Sequence, residues 1–269
     1  MKLGISSYTF SWAIGISRYP LPATPLSAMG LLEKAIGYGA SVLQVADNLP
    51  LTSLSPEDLN AFERRASDVG IAIEIGTRGI EPENLRAYLR LAARFGSPFV
   101  RVVVDKGEDE PTPDECIAQL KPLLPEFDDA GVKLAIENHD RFPARTLREI
   151  VETLGTDRVG ICLDTVNSFG SLEGPEVVVE TLAPYVVNLH VKDFTIRRVV
   201  HQMGFIIEGA PAGQGRLNIP WLMRQLPGGI SAVLELWTPY QENTPATVAL
   251  EAQWADESVN YLKNTLGES

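Results

Sequence analysis

KLAIE at Lys133–Glu137, VGICLD at Val159–Asp164, VVNLH at Val186–His190 and AVLE at Ala232–Glu235 are four short apolar runs, each closing on an acid or an imidazole. A parallel strand buried on both faces reads as a near-continuous apolar run, and its last side chain is delivered to the loop that follows. From Glu137 to Asp164 is 27 residues and from Asp164 to His190 is 26, one strand, helix and loop each. The step to Glu235 is longer by a loop. Three carboxylates and one imidazole on neighbouring strand ends make a divalent metal site. Oxygen-rich ligation suits Mn²⁺ or Mg²⁺, and the imidazole admits Co²⁺ or Zn²⁺.

Four earlier runs share this character: KLGIS from Lys2, SVLQVA from Ser41, IAIEIG from Ile71 and FVRVVV from Phe99. Between them lie amphipathic stretches such as LEKAIGYG from Leu32, SPEDLNAFERRASDVG from Ser55 and EPENLRAYLRLAARFG from Glu81. Ser or Pro with early acids opens them and Gly closes them, which are helix start and stop signals. Eight strand and helix units in alternation predict an α/β fold, a (β/α)8 TIM barrel, as a single domain over residues 1–269. A doubly wound sheet is the competing architecture, but no GxGxxG follows the first strand. The segments Trp12 to Pro25 and Phe194 to Leu217 are expected to be long irregular active-site loops.

Composition narrows the function. An apolar fraction of 45% provides a sizeable core, and a net charge of −12 repels phosphate backbones, so no nucleic-acid partner is expected. Arg197 and Arg198 are only a pair. Cys116 and Cys162 have neither metal nor redox spacing and read as buried apolar side chains. The opening MKLGISSYTF is unlike a secretion signal, and no apolar stretch reaches membrane-spanning length. The expectation is a cytoplasmic protein with no membrane partner; a homo-oligomer is allowed for. Without a phosphate-binding glycine loop, nucleotide use is not expected.

The motifs ENH at Glu137–His139, LDTVN at Leu163–Asn167, HVKD at His190–Asp193, GQG at Gly213–Gly215 and LELW at Leu234–Trp237 together resemble the xylose-isomerase-like TIM barrels. That superfamily groups sugar phosphate isomerases and epimerases with inosose and dehydroshikimate dehydratases, keto-sugar-acid decarboxylases and type IV AP endonucleases. The resemblance spans the barrel, most specifically its second half. It implies metal ligation by Glu137, Asp164, His190 and Glu235, the same four residues that the strand ends select. It also implies that Glu137 and Glu235 act as acid and base on opposite faces of a substrate. Ketose 3-epimerases of this group carry a His three residues after the metal-binding Asp, where this chain has Asn167, so their substrate contacts do not transfer. Asn167 itself joins the substrate-binding candidates. Type IV AP endonucleases hold three zinc ions with many histidines, whereas His139, His190 and His201 are the only ones here.

The remaining candidates come from strand alternation or from places in or near strand ends. Lys192 lies two residues beyond His190 and points to the same side, where it either neutralises an oxyanion or pairs outward with Asp193. His139, two past Glu137, either serves catalysis by binding a hydroxyl or passing protons, or supports its neighbours. Tyr8, Glu74, Arg78 and Arg101 lie in or just after strands as substrate-binding candidates, the arginines as anion donors. Trp12 and Trp237 are candidate pocket walls. The leading expectation is a metal-dependent isomerase or epimerase acting on a small carbohydrate, sugar phosphate or sugar acid through an enediolate. The alternative is a metal-dependent lyase, a decarboxylase or dehydratase of a 3-oxo sugar acid.

Overall fold

The computed structural model describes residues 1–267, so the last two residues of the expected 1–269 domain lie outside the described residues. Among the described residues ten strands form: β1 Lys2–Ser6, β2 Val42–Val45, β3 Ala72–Arg78, β4 Phe99–Val103, β5 Lys133–Glu137, β6 Val159–Asp164, β7 Val186–Val191, β8 Asp193–Arg198, β9 Phe205–Ala210 and β10 Ser231–Leu234. Eight of them close a parallel barrel in the order β1-β10-β7-β6-β5-β4-β3-β2. The single-domain TIM barrel expected from the alternation is therefore the fold.

The helices are α1 Ser11–Ile14, α2 Ala28–Gly37, α3 Pro56–Val69, α4 Pro82–Phe95, α5 Pro113–Leu120, α6 Leu124–Asp129, α7 Ala144–Leu154, α8 Pro175–Leu182, α9 Ile219–Gln225 and α10 Thr244–Leu266. In α7, Leu147, Ile150, Val151 and Leu154 recur at helical spacing and are all buried against the barrel. Each such side chain contributes roughly 1.5–3 kcal/mol of burial. Helix α4 starts with Pro82 in its first turn and stops at Gly96, whose φ of 65° is open to glycine at little steric cost. No helix among the described residues is long and apolar enough to cross a membrane.

One segment departs from expectation. Phe194 to Leu217 is not an irregular loop throughout, because β8 and β9 pair antiparallel from Asp193↔Ala210 to Arg198↔Phe205. Ile196, Phe205 and Ile207 are exposed on this ribbon. It therefore lacks the apolar-in, polar-out alternation by which a strand is read.

Strand order then places the site. β5, β6, β7 and β10 are consecutive neighbours, with Asp164 in register with His190 and His190 with Val233. Glu137 and Asp164 end their strands, His190 is one residue short of its strand end, and Glu235 lies one residue past β10. All four open on the C-terminal face, where TIM barrels carry their active sites.

Candidate active site and metal centre

Glu137, Asp164, His190 and Glu235 are brought together as the strand ends predict, and all four are buried. His190 Nδ1 lies 3.5 Å from Glu137 Oε2, 3.5 Å from Glu235 Oε1 and 3.8 Å from Asp164 Oδ2. Such separations suit atoms sharing one ion at about 2.0–2.6 Å from each. His190 Nδ1 is buried with no hydrogen-bond partner among the described residues. A buried polar atom left without a partner is costly, and facing three carboxylates it is placed to donate its lone pair to a cation. Asp164, His190 and Glu235 form one metal-capable group, and Glu137, Cys162 and His190 a second. Cys162 Sγ, however, approaches His190 at Nε2, 3.2 Å away, so it lies on the other side of the ring. The donors facing Nδ1 are the three carboxylates, which fit a divalent cation.

Local structure aims each carboxylate. Asp164 Oδ1 accepts from the backbone N–H groups of Val166 and Asn167 at 2.9 and 2.8 Å, leaving Oδ2 for the cluster. Asn138 clamps the Asp164 backbone through both amide ends. Glu235 Oε1 accepts from Ser6 Oγ at 3.0 Å. Glu137 accepts from Arg101 Nε on Oε2 and from Asn167 Nδ2 on Oε1, the latter at 2.8 Å.

Lys192 does not pair with Asp193. Its Nζ sits 2.8 Å from Asp164 Oδ2 and 2.9 Å from Glu235 Oε2. Burial opposes its charge, but Asp164, Glu235 and Glu137 outweigh burial and raise its pKa. Conversely, burial raises the Asp164 and Glu235 carboxyls, yet Lys192 and His190 outweigh it and hold both low. Asp193 instead folds the loop after β9. It accepts from the backbone N–H groups of Phe194, Gly213, Gly215 and Leu217. A Cβ on Gly215 would lie 2.1 Å from Asp193 Oδ1, which accounts for the second glycine of GQG.

The first-half candidates divide. Tyr8 donates to Asp47 Oδ2 at 3.0 Å; burial and Asp47 raise its pKa, so it remains a donor. Arg101 is buried with its guanidinium on Glu137, Asp47 and the Thr77 carbonyl, which spends most of its donors inside the protein. Arg78 is partly exposed, 3.6 Å from Asp47 and 3.4 Å from His139 Nε2. His139 bonds Asp140 and faces Arg78 rather than any of the four cluster residues. Glu74 does not reach the mouth. It is inward-facing, but β3 runs on to Arg78, so Glu74 lies in the barrel interior with Ser231, Gln44 and Asn188 as partners. Burial pushes its carboxyl up to about 6.

A cavity of about 330 Å³ adjoins the cluster, bounded by Tyr8, Trp12, Lys192, Trp237 and Thr238. Both tryptophans expected as pocket walls line it. Trp12 is held from afar: buried Glu251 on α10 accepts from the backbone N–H groups of Trp12 and Ala13 at 2.8 and 3.0 Å. Asp47, Ser6, Asn138 and Glu251 were not among the residues singled out from sequence. Of these, only Asn138, inside the ENH motif, had a local signal.

Over 265 residues the chain is 36% identical to a 3-oxo-isoapionate decarboxylase of Pectobacterium atrosepticum, covering 97% of this chain and 95% of that one. Among solved structures it is similar to a D-psicose 3-epimerase crystallised with D-fructose, at a TM-score of 0.71 and 16% identity over 99% and 100% of the two chains. It is also similar to a xylose isomerase-like barrel from Mycobacterium smegmatis in complex with magnesium, at a TM-score of 0.62 and 17% identity over 87% and 88%. A family profile, the xylose isomerase-like TIM barrel, matches residues 34–265. With the profile spanning most of the barrel and a full-length relative above, the chain belongs to the xylose isomerase-like TIM barrel family.

Proposed function

We propose that this protein is a metal-dependent decarboxylase of a 3-oxo sugar acid. The observation that carries this reading is the 36% identity to a decarboxylase along nearly the whole chain. The site supports it. An epimerase of the expected kind needs two carboxylates free to trade a substrate proton. Here Glu137 accepts hydrogen bonds on both oxygens, and Glu235 has Ser6 on one oxygen and Lys192 beside the other. The isomerase reading that leads from sequence is thus less well supported than the lyase alternative.

Loss of CO₂ from a 3-oxo acid breaks the bond between the carboxylate carbon and its neighbour. The released electron pair forms a carbon–carbon double bond, and the ketone π pair moves onto oxygen, giving an enolate. Glu137, Asp164, His190 and Glu235 would hold a divalent ion, with Mn²⁺, Mg²⁺ or Co²⁺ as first choices and Zn²⁺ also suited, which would supply Lewis acidity toward that oxygen. Lys192, kept charged by its carboxylates, faces the 330 Å³ cavity and is placed to stabilise the developing oxyanion and return a proton to carbon. Solvent then reprotonates the amine. Trp12, Trp237 and Tyr8 line that cavity and would contact the substrate, and Asn167, whose amide donates to Glu137, is the further candidate for its hydroxyls. His139 and Arg78 stand together at the mouth.

The test is to supply 3-oxo-isoapionate and related oxo sugar acids in D₂O, following CO₂ and the NMR spectrum of the recovered substrate. CO₂ release that stops on chelation and returns with Mn²⁺, Mg²⁺ or Co²⁺ is expected, with unreacted substrate unlabelled. Deuterium in recovered substrate without CO₂ would return the epimerase reading. Arg78, partly exposed beside His139, is the candidate anion contact, so Arg78→Ala is expected to weaken substrate binding by about 1.5–3 kcal/mol, the scale of a hydrogen bond to a charged group. An unchanged KM would remove Arg78 from the substrate site.

A further inference from the structure

Below the proposed metal site the barrel interior carries a polar layer where TIM barrels ordinarily stack branched apolar side chains. Gln44 and Glu74 are in register on β2 and β3, and Asn188 and Ser231 on β7 and β10. All four are buried. A buried polar network is tolerated when every member is satisfied, and this one is ordered in one direction. Glu74 accepts from Ser231 Oγ at 2.6 Å, from Gln44 Nε2 at 3.2 Å and from Asn188 Nδ2 at 3.3 Å. Asn188 Nδ2 also donates to Ser231 Oγ, and Asn188 Oδ1 accepts from Gln44 Nε2 at 3.0 Å. With its amide nitrogen committed to these two acceptors, Gln44 presents Oε1 upward, 2.6 Å from His190 Nε2.

That orientation decides which ring nitrogen can serve a metal. Gln44 Oε1 can only accept, so when His190 yields one proton to a cation the hydrogen it keeps is on Nε2, and the Nδ1 lone pair faces Glu137, Asp164 and Glu235. A flipped amide would set its oxygen against the Glu74 carboxylate and the Asn188 carbonyl. It would also turn an N–H toward Nε2 and favour the tautomer whose Nδ1 is blocked by hydrogen. Glu74 is the one formally charged member of the layer and gives the network its polarity.

We propose that Glu74, acting through Gln44, is a positioning residue that fixes the metal-binding tautomer of His190 from below the site. This rests on the metal-site reading above and adds to it a control point that touches neither metal nor substrate.

The experiment measures Zn²⁺ affinity by chelator competition, with ¹⁵N spectra of the histidine rings in the Zn²⁺-loaded protein. Wild type is expected to show one ring with hydrogen on Nε2 and a ligated Nδ1. Glu74→Gln and Gln44→Met are each expected to weaken Zn²⁺ binding roughly 10- to 100-fold, the usual effect of losing a partner behind a metal-bound imidazole. The double variant Gln44→Glu with Glu74→Gln returns an obligate acceptor to His190 and is expected to restore affinity to within about threefold, following the same logic. Gln44→Met, which fills a similar volume, serves even if Glu74→Gln fails to fold. Wild-type affinity in a folded single variant, or a double variant as weak as the singles, overturns the proposal while leaving the metal site intact. No Zn²⁺ binding by wild type overturns both. Zn²⁺ binding that follows the expected pattern without CO₂ release from any oxo sugar acid sinks the decarboxylase reading alone.

Discussion

Lys192→Met is expected to lower kcat for CO₂ release by about 10²- to 10³-fold, the range for removing one donor to a developing oxyanion. Metal affinity is expected to hold or rise. Nζ lies within 3 Å of carboxylate oxygens on both Asp164 and Glu235, so its charge competes with a cation for Asp164 Oδ2 and partly neutralises Glu235 through its other oxygen. Removing it leaves two buried carboxylates that a divalent ion can neutralise, and without that ion the variant is expected to be less stable, because unpaired buried charge is costly. A CO₂-coupled assay with calorimetric Mn²⁺ titration separates the effects. Turnover within tenfold of wild type at saturating metal would show that Lys192 serves the fold and not the reaction.

Glu235→Gln and Glu137→Gln are expected to abolish measurable turnover even where excess metal restores occupancy, since on the proposed reading each carboxylate would share in holding the ion and in the charge balance around it. The two variants should differ in stability. Glu137 is the acceptor of buried Arg101, so its neutralisation leaves a cation with one carboxylate partner fewer, Asp47 remaining. Asp47 is partly exposed and 3.1 Å from Arg101, whereas loss of Glu235 leaves Lys192 2.8 Å from the fully buried Asp164. Glu137→Gln is therefore expected to lose more stability, on the order of 3 kcal/mol, as thermal unfolding of the metal-free proteins would reveal. Equal melting temperatures would remove the assigned role of the Arg101–Glu137 pair.

Much of the active-site face was legible because a barrel strand is buried on both sides. In KLAIE and VGICLD the apolar run is the strand and the acid is its end, so a local pattern reports a tertiary position. Lys192 was half legible. Alternation carried on from His190 placed it on the same side, but its partner was read equally as Asp193. The choice is made across strands, by Asp164 on β6 and Glu235 after β10. Glu74 shows the converse. Its place in a strand followed from sequence, but its depth depended on where β3 ends, and strand boundaries are the part of a sequence reading least constrained by periodicity.

The sequence by itself determined the fold class, the eight barrel strands and the four residues that meet at one end of them, because each rests on periodicity, helix punctuation and spacing within one strand-and-helix unit. What only the tertiary structure decided is how these groups are held and charged. Gln44 meets His190 across 146 residues, Glu251 meets Trp12 across 239, and Asp47 gathers Tyr8, Arg78 and Arg101 from three different strands or strand ends. Barrel closure creates these contacts, bringing β1 against β10 and lining one narrow interior with side chains from all eight strands. A hydrogen bond or ion pair depends on distances of a few ångströms, which no spacing along the chain encodes.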